Sequence, residues 1–77
     1  MLDRLRNYIK DEEFRINIFG NKVNIINYLD LIVLEDTRIS LQSPKGIVVI
    51  KGSGLTVNRL LDNEILISGK IKTIELE

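Results

Sequence analysis

The stretch from residue 46 to residue 76 constrains the fold most: GIVVIKGSGLTVNRLLDNEILISGKIKTIEL. Short aliphatic runs are cut there by Gly52-Ser53-Gly54, by Asp62-Asn63 and by Gly69. Runs of a few β-branched residues bounded by turn formers read as strands. Ile47 to Ile50 is apolar at every position, as a central strand buried on both faces would be. Ile65, Ile67, Gly69 and Ile71 share one parity, whereas Ile74 and Leu76 fall on the other. Side chains change faces only through a break in the pleat, so a β-bulge or bend is expected between Gly69 and Thr73. Leu60 breaks the parity of Leu55, Val57 and Leu61, and marks a second irregularity.

Upstream, Phe14, Ile16 and Ile18 alternate with Arg15 and Asn17, the period of a half-buried strand. Gly20-Asn21 follows, and both residues tolerate positive φ, so residues 14–26 read as a hairpin. Residues 28–34 form another strand, in which Leu31, Ile32, Val33 and Leu34 are apolar without interruption. Such a run implies burial on both faces or an apolar outer face used for contact. Glu35-Asp36 is the expected turn, after which Thr37, Ile39 and Leu41 alternate inward against Arg38, Ser40 and Gln42. Ser43-Pro44-Lys45-Gly46 has the form of a type I turn. Gly52-Ser53-Gly54 and Asp62-Asn63 are read as further turns.

Leu2, Leu5 and Ile9 recur at amphipathic helical spacing among charged residues. About a dozen residues make a marginal helix, so this segment needs a surface to dock on. The expected organisation is therefore an N-terminal helix or arm over residues 1–13 and a β-domain over residues 14–77. The fold class is all-β, a small antiparallel meander or sandwich of short strands. A loose repeat, apolar-x-Gly-x-x-apolar-x-apolar, occurs around Gly20, Gly52 and Gly69. The uneven spacing of these glycines and the polar turn pairs favour hairpins over a β-solenoid.

Composition excludes several chemistries. The 77 residues contain no Cys and no His, which removes thiolate metal sites, the commonest general base and the commonest transition-metal ligand. Gly52-Ser53-Gly54 is followed by a strand and lacks the Gly-Lys-Ser/Thr of a phosphate loop. Ser53 has no Ser-x-x-Lys partner. Glu35-Asp36 and Asp62-Asn63-Glu64 lack calcium-loop spacing and read as solvated turns. No catalytic residue, cofactor site, metal site or small-molecule substrate is expected. Eleven Lys+Arg balance eleven Asp+Glu, so the basic excess typical of nucleic-acid binders is missing and no nucleic-acid partner is expected. Lys45, Lys51, Lys70 and Lys72 are scattered along the chain and read as residues that blunt sheet edges. No apolar run exceeds four residues and no secretory signal opens the chain, which makes the cytoplasm the default compartment.

Phe19-Gly20, Leu41-x-x-x-x-Gly46-Ile-Val-Val-Ile50-x-Gly52, Leu55-x-Val57-x-x-Leu60 and Glu64-Ile-Leu-Ile-x-Gly69-x-Ile71-x-x-Ile74 together resemble the YabP/YqfC family of sporulation proteins. The resemblance covers roughly residues 14–76 and consists of glycines and aliphatics. It implies a small all-β protein of the mother cell that contributes to spore formation, with no catalytic residues to carry over. It also implies a gene that sits beside genes for membrane-associated sporulation proteins, which suggests an assembly role. The expected function is non-enzymatic, through protein–protein contacts during spore assembly, with a second copy or a membrane-associated sporulation protein as partner. The expected location is the mother-cell cytoplasm, including the periphery of the forespore membrane. The candidate contact residues are Leu2, Leu5 and Ile9 in the N-terminal stripe and Leu31, Ile32, Val33 and Leu34 in the apolar strand. The alternatives are a small single-stranded nucleic-acid-binding module and a peripheral membrane module held by the N-terminal stripe.

Overall fold

The computed structural model describes residues 14–77, so the expected helix or arm over residues 1–13 lies outside the described residues. Six strands form one open antiparallel sheet: β1 (Arg15–Phe19), β2 (Lys22–Ile26), β3 (Asp30–Leu34), β4 (Arg38–Ser43), β5 (Gly46–Leu60) and β6 (Glu64–Leu76). The order across the sheet is β1-β2-β6-β5-β4-β3. There is no helix among the described residues. The all-β class therefore holds, and the antiparallel pairing removes the solenoid.

The strands are not uniformly short. β5 has 15 residues and β6 has 13. Gly52-Ser53-Gly54, expected to turn the chain, instead lies inside β5. Its glycines bend the strand and do not end it, because β6 stays paired alongside. The ladder between β5 and β6 slips three times. Lys51 pairs with Thr73 and Gly52 with Ile71, which leaves Lys72 as an extra residue on β6. This is the irregularity anticipated between Gly69 and Thr73. Ser53 pairs with Lys70 and Thr56 with Ser68, and Val57 pairs with Ile67 and Arg59 with Leu66. The last slip leaves Asn58 unpaired and accounts for the parity break at Leu60.

These slips divide the sheet into two halves that share β5 and β6. β2 pairs only with residues 64–68 of β6, and β4 only with residues 46–51 of β5. One half is therefore β1, β2 and the parts of β6 and β5 nearest their connecting turn. The other is the distal part of β6, the first part of β5, β4 and β3. Apolar rows run across each half. In the first they are Ile16–Ile25–Ile65–Leu60 and Ile18–Val23–Ile67–Val57. In the second they are Leu31–Leu41–Val48–Leu76 and Leu34–Ile39–Ile50–Ile74.

The inner members of every row are buried to 0–1% exposure. A single uncovered layer cannot exclude water from one face so completely. The halves therefore bend over one another, and Val23, Ile25, Ile65 and Ile67 share one cluster with Ile39, Leu41, Val48 and Ile50. Each such side chain contributes roughly 1.5–3 kcal/mol by leaving water. The Lys51–Glu75 ion pair, at 3.6 Å with both side chains more than 40% exposed, contributes about 0–1 kcal/mol. Burial dominates.

The turns follow the sequence closely. Gly20-Asn21 closes β1–β2, with Gly20 at φ 60°. Pro44-Lys45 closes β4–β5, and the buried Ser43 hydroxyl donates to the Gly46 carbonyl at 2.7 Å and accepts from the Lys45 amide at 3.1 Å. Asp62-Asn63 joins β5 to β6, with the Leu61 amide bonded to the Glu64 carbonyl at 2.7 Å. The β3–β4 turn falls at Asp36-Thr37, one residue later than expected, because Glu35 and Arg38 exchange backbone hydrogen bonds. Thr37 is consequently exposed and does not point inward. The Asp36 and Thr37 carbonyls instead accept from the Leu55 and Gly52 amides at 2.8 and 3.1 Å and pin this turn to the bend. Ser40, expected to face solvent, is 2% exposed, as is its partner across the ladder, Val49, at 1%. These two lie on the face opposite the main cluster, so the middle of the second half is covered on both sides.

At the bend, a Cβ on Gly52 would collide with the Lys70 backbone carbonyl, and one on Gly69 (φ 134°) would lie 2.5 Å from the Gly54 carbonyl oxygen. Neither neighbour can yield without opening the ladder. Gly52→Ala is expected to lower stability by about 3 kcal/mol, as overpacking does. Gly20→Ala, in open space, should cost only the roughly 1 kcal/mol of a left-handed backbone. Urea unfolding of the two variants should show that order.

Candidate contact surface

β3 is an edge strand, paired on one side only. Its sequence, DLIVL, explains its geometry. Leu31 pairs with Leu41 and Val33 with Ser40, so Ile32 is the extra residue of a bulge. The slip puts both Leu31 and Leu34 at the ends of core-facing rows, while Val33 joins Ser40 and Val49 on the other face. The unbroken run is thus apolar at every position without being buried throughout. Leu31 and Val33 are half-buried, but Ile32 is 51% and Leu34 55% exposed. The reading that the whole strand is buried on both faces is corrected: its outer side is open. Leu2, Leu5 and Ile9, the other candidate contact residues, lie outside the described residues.

A second exposed apolar group, which the sequence reading missed, adjoins this strand. Leu29, Leu60 and Leu61 are each about half exposed. With Tyr28, Asp30 and Asp62 they border an open cleft of about 380 Å³. The chain reaches it by crossing from one half of the sheet to the other. The Asn27 amide bonds to the Asn63 carbonyl, and the Leu29 amide bonds to the Gln42 carbonyl at 2.7 Å. Tyr28, between them, donates its hydroxyl to the Leu61 carbonyl at 2.9 Å. Burial, and then the negative charges of Asp62 and Asp30, raise the Tyr28 pKa above the ordinary 10.0. The signal in the sequence was the parity break at Leu60, followed by a second leucine against the Asp62-Asn63 turn.

The remaining polar groups are engaged locally. Asn24 donates to a Glu64 carboxylate oxygen at 2.9 Å, and Arg59 lies 3.9 Å from the same oxygen. Every buried side-chain nitrogen or oxygen among the described residues has a hydrogen-bond partner. Among the described residues no three His, Cys, Asp or Glu side chains converge as a metal site would need, and no helix is long and apolar enough to cross a membrane. Lys51, Lys70 and Lys72, scattered in sequence, are brought to one side of the bend, where Arg38 joins them; Lys45 stays apart in the β4–β5 turn.

The fold and surface define a small all-β protein: one bent open sheet with an apolar edge. A model of the YabP family matches residues 10–77, most of the chain. The protein belongs to the YabP family, and membership points to a sporulation-related protein. No curated protein and no solved structure matches it.

Tyr28 supplies a test of the cleft geometry. A hydroxyl whose folded-state pKa lies above its unfolded value stabilises the fold fully below the unfolded pKa. That contribution is lost as pH rises through the folded value. Tyr28→Phe should therefore lose up to about 1 kcal/mol at neutral pH, the value of one hydrogen bond. Its stability should also fall less steeply with alkaline pH than the parent's. Spectrophotometric titration in a Tyr8→Phe background should show Tyr28 ionising later than free tyrosine.

Proposed function

We propose that this protein is non-enzymatic and acts in the mother cell, through protein–protein contacts made during spore assembly. The observation that carries this reading is the exposed aliphatic edge at Ile32 and Leu34, on the same strand whose Asp30 and Leu31 border the cleft. An edge strand offers unpaired backbone amides and carbonyls to an incoming strand, and flanking aliphatics add buried area to such a contact. The family supports a place in sporulation. The partner is a second copy of this chain or a membrane-associated sporulation protein, met in the mother-cell cytoplasm at the periphery of the forespore membrane.

Deleting the gene should lower the count of heat-resistant spores by orders of magnitude, and a wild-type copy should restore it. The double variant Ile32→Asp/Leu34→Asp should fold, since both side chains are already more than half exposed. It should nevertheless fail to complement. Full complementation by a double variant that has lost its edge hydrophobicity would show that β3 is not the contact.

A further inference from the structure

We propose that the bend of the sheet carries a binding site for a phosphate-type anion, made by Lys70 and Lys72 over Gly52-Ser53 and reinforced by Lys51 and Arg38. The inference stands apart from the contact proposed for β3, which lies on a different edge.

A cavity of about 180 Å³ opens at the bend, lined by Gly52, Ser53, Lys70, Ile71 and Lys72. Its floor is backbone. Gly52 adds no side chain, and the Lys70 carbonyl packs directly against its α-carbon, so the two backbones meet closely under the cavity. Ser53 is exposed and sits directly across the ladder from Lys70, which puts its hydroxyl on the same face of the sheet as the Lys70 side chain. Lys72 is the unpaired residue of the bulge, and bulges re-aim side chains in this way. Both lysines are exposed.

The surrounding charge is arranged against the ordinary rule. Arg38 on β4 is directly opposite Lys51 on β5. Like charges across an antiparallel pair repel and are normally avoided. Lys51 and Ser53 share a side of β5 by alternation, so the pair extends toward the cavity. The chain has no net charge, so this concentration does not follow from a basic composition. Four of its eleven basic residues gather here, and of these four only Lys51 has an acidic partner among the described residues, Glu75 at 3.6 Å. The acids of the neighbouring turn, Glu35 and Asp36, use their backbones to hold that turn in place.

Edge protection accounts for part of this arrangement but not all of it. The distal part of β6 is a free edge of its half-sheet, and lysines there discourage unwanted pairing. Arg38 and Lys51 sit on β4 and β5, which are paired on both sides. They have no edge to protect. An anion at the cavity relieves the repulsion at all four positions and uses the Ser53 hydroxyl as well. The shared chemistry is a phosphate group with at least one free negative charge, supplied either by a soluble phosphate or by the headgroup of an anionic phospholipid.

The test uses the full chain, its Lys70→Gln/Lys72→Gln variant and a Lys45→Gln control. Inorganic phosphate is titrated while backbone amide NMR shifts are followed. Flotation is measured with vesicles of phosphatidylcholine alone and with vesicles that also contain phosphatidylglycerol. Shifts at Gly52, Ser53 and residues 70–72 with phosphate alone would identify a soluble ligand. Flotation only with the anionic vesicles would identify the headgroup. In either case the double variant should bind roughly 25-fold more weakly, about fivefold for each charge at a phosphate surface, and Lys45→Gln should match the parent. No binding of either probe, or binding that the double variant retains, overturns the proposal.

Discussion

The fold depends on the close approach of β5 and β6 at the bend. Among its described residues the chain stacks no second sheet and no helix on the first. It makes one sheet cover itself instead. That requires two strands long enough to belong to both halves, and a place where their backbones come nearly into contact. Gly52 and Gly69 supply that place, because a β-carbon at either would meet a carbonyl of the opposite strand. The three slips of the ladder are part of the same device. Each adds local twist to a strand that must change direction without losing its partner.

From this follows the division between interior and surface. Each apolar row is covered in the middle and open at one end. Ile18, Leu34, Leu60 and Leu76 continue the core pattern but remain more than half exposed. The apolar surface of the protein is in this sense the margin of its own core, extended past the reach of its cover. Most of it carries no further implication, since folded proteins expose much apolar area. On β3 it coincides with an unpaired strand edge and a neighbouring cleft, and that coincidence singles out one margin from the others.

Much of this architecture was legible in the sequence, and the failures have physical causes. The β1–β2 hairpin was readable because Gly20-Asn21 names its own turn. The central position of residues 47–50 was readable because an unbroken aliphatic run has few other uses. The bulge at Lys72 followed from parity alone. Gly52-Ser53-Gly54 was misread because glycines that bend a strand and glycines that end one look alike. Only the partner strand distinguishes them. The burial of Ser40 was hidden because a polar residue of outward parity says nothing about what lies over that face. The cluster of Lys51, Lys70 and Lys72 was invisible for a different reason: their meeting depends on the register between β5 and β6, which no local pattern encodes. The clefted surface at Leu29, Leu60 and Leu61 likewise forms only where the crossing at Tyr28 meets the end of β5.

The strand order has a consequence for how the chain assembles. From β3 to β6 each strand pairs with its immediate successor, so those contacts close over short distances. The β1–β2 hairpin is different: its neighbour is β6, the last of the six described strands. A hairpin made before β6 must therefore wait for that strand before its apolar side is covered. During that interval Ile16, Ile18, Val23 and Ile25 present a short sticky ribbon to whatever is near. Protection from aggregation thus arrives with β6 and not with the hairpin itself. Cells that make much of it at once must either reach β6 quickly or shield the β1–β2 hairpin.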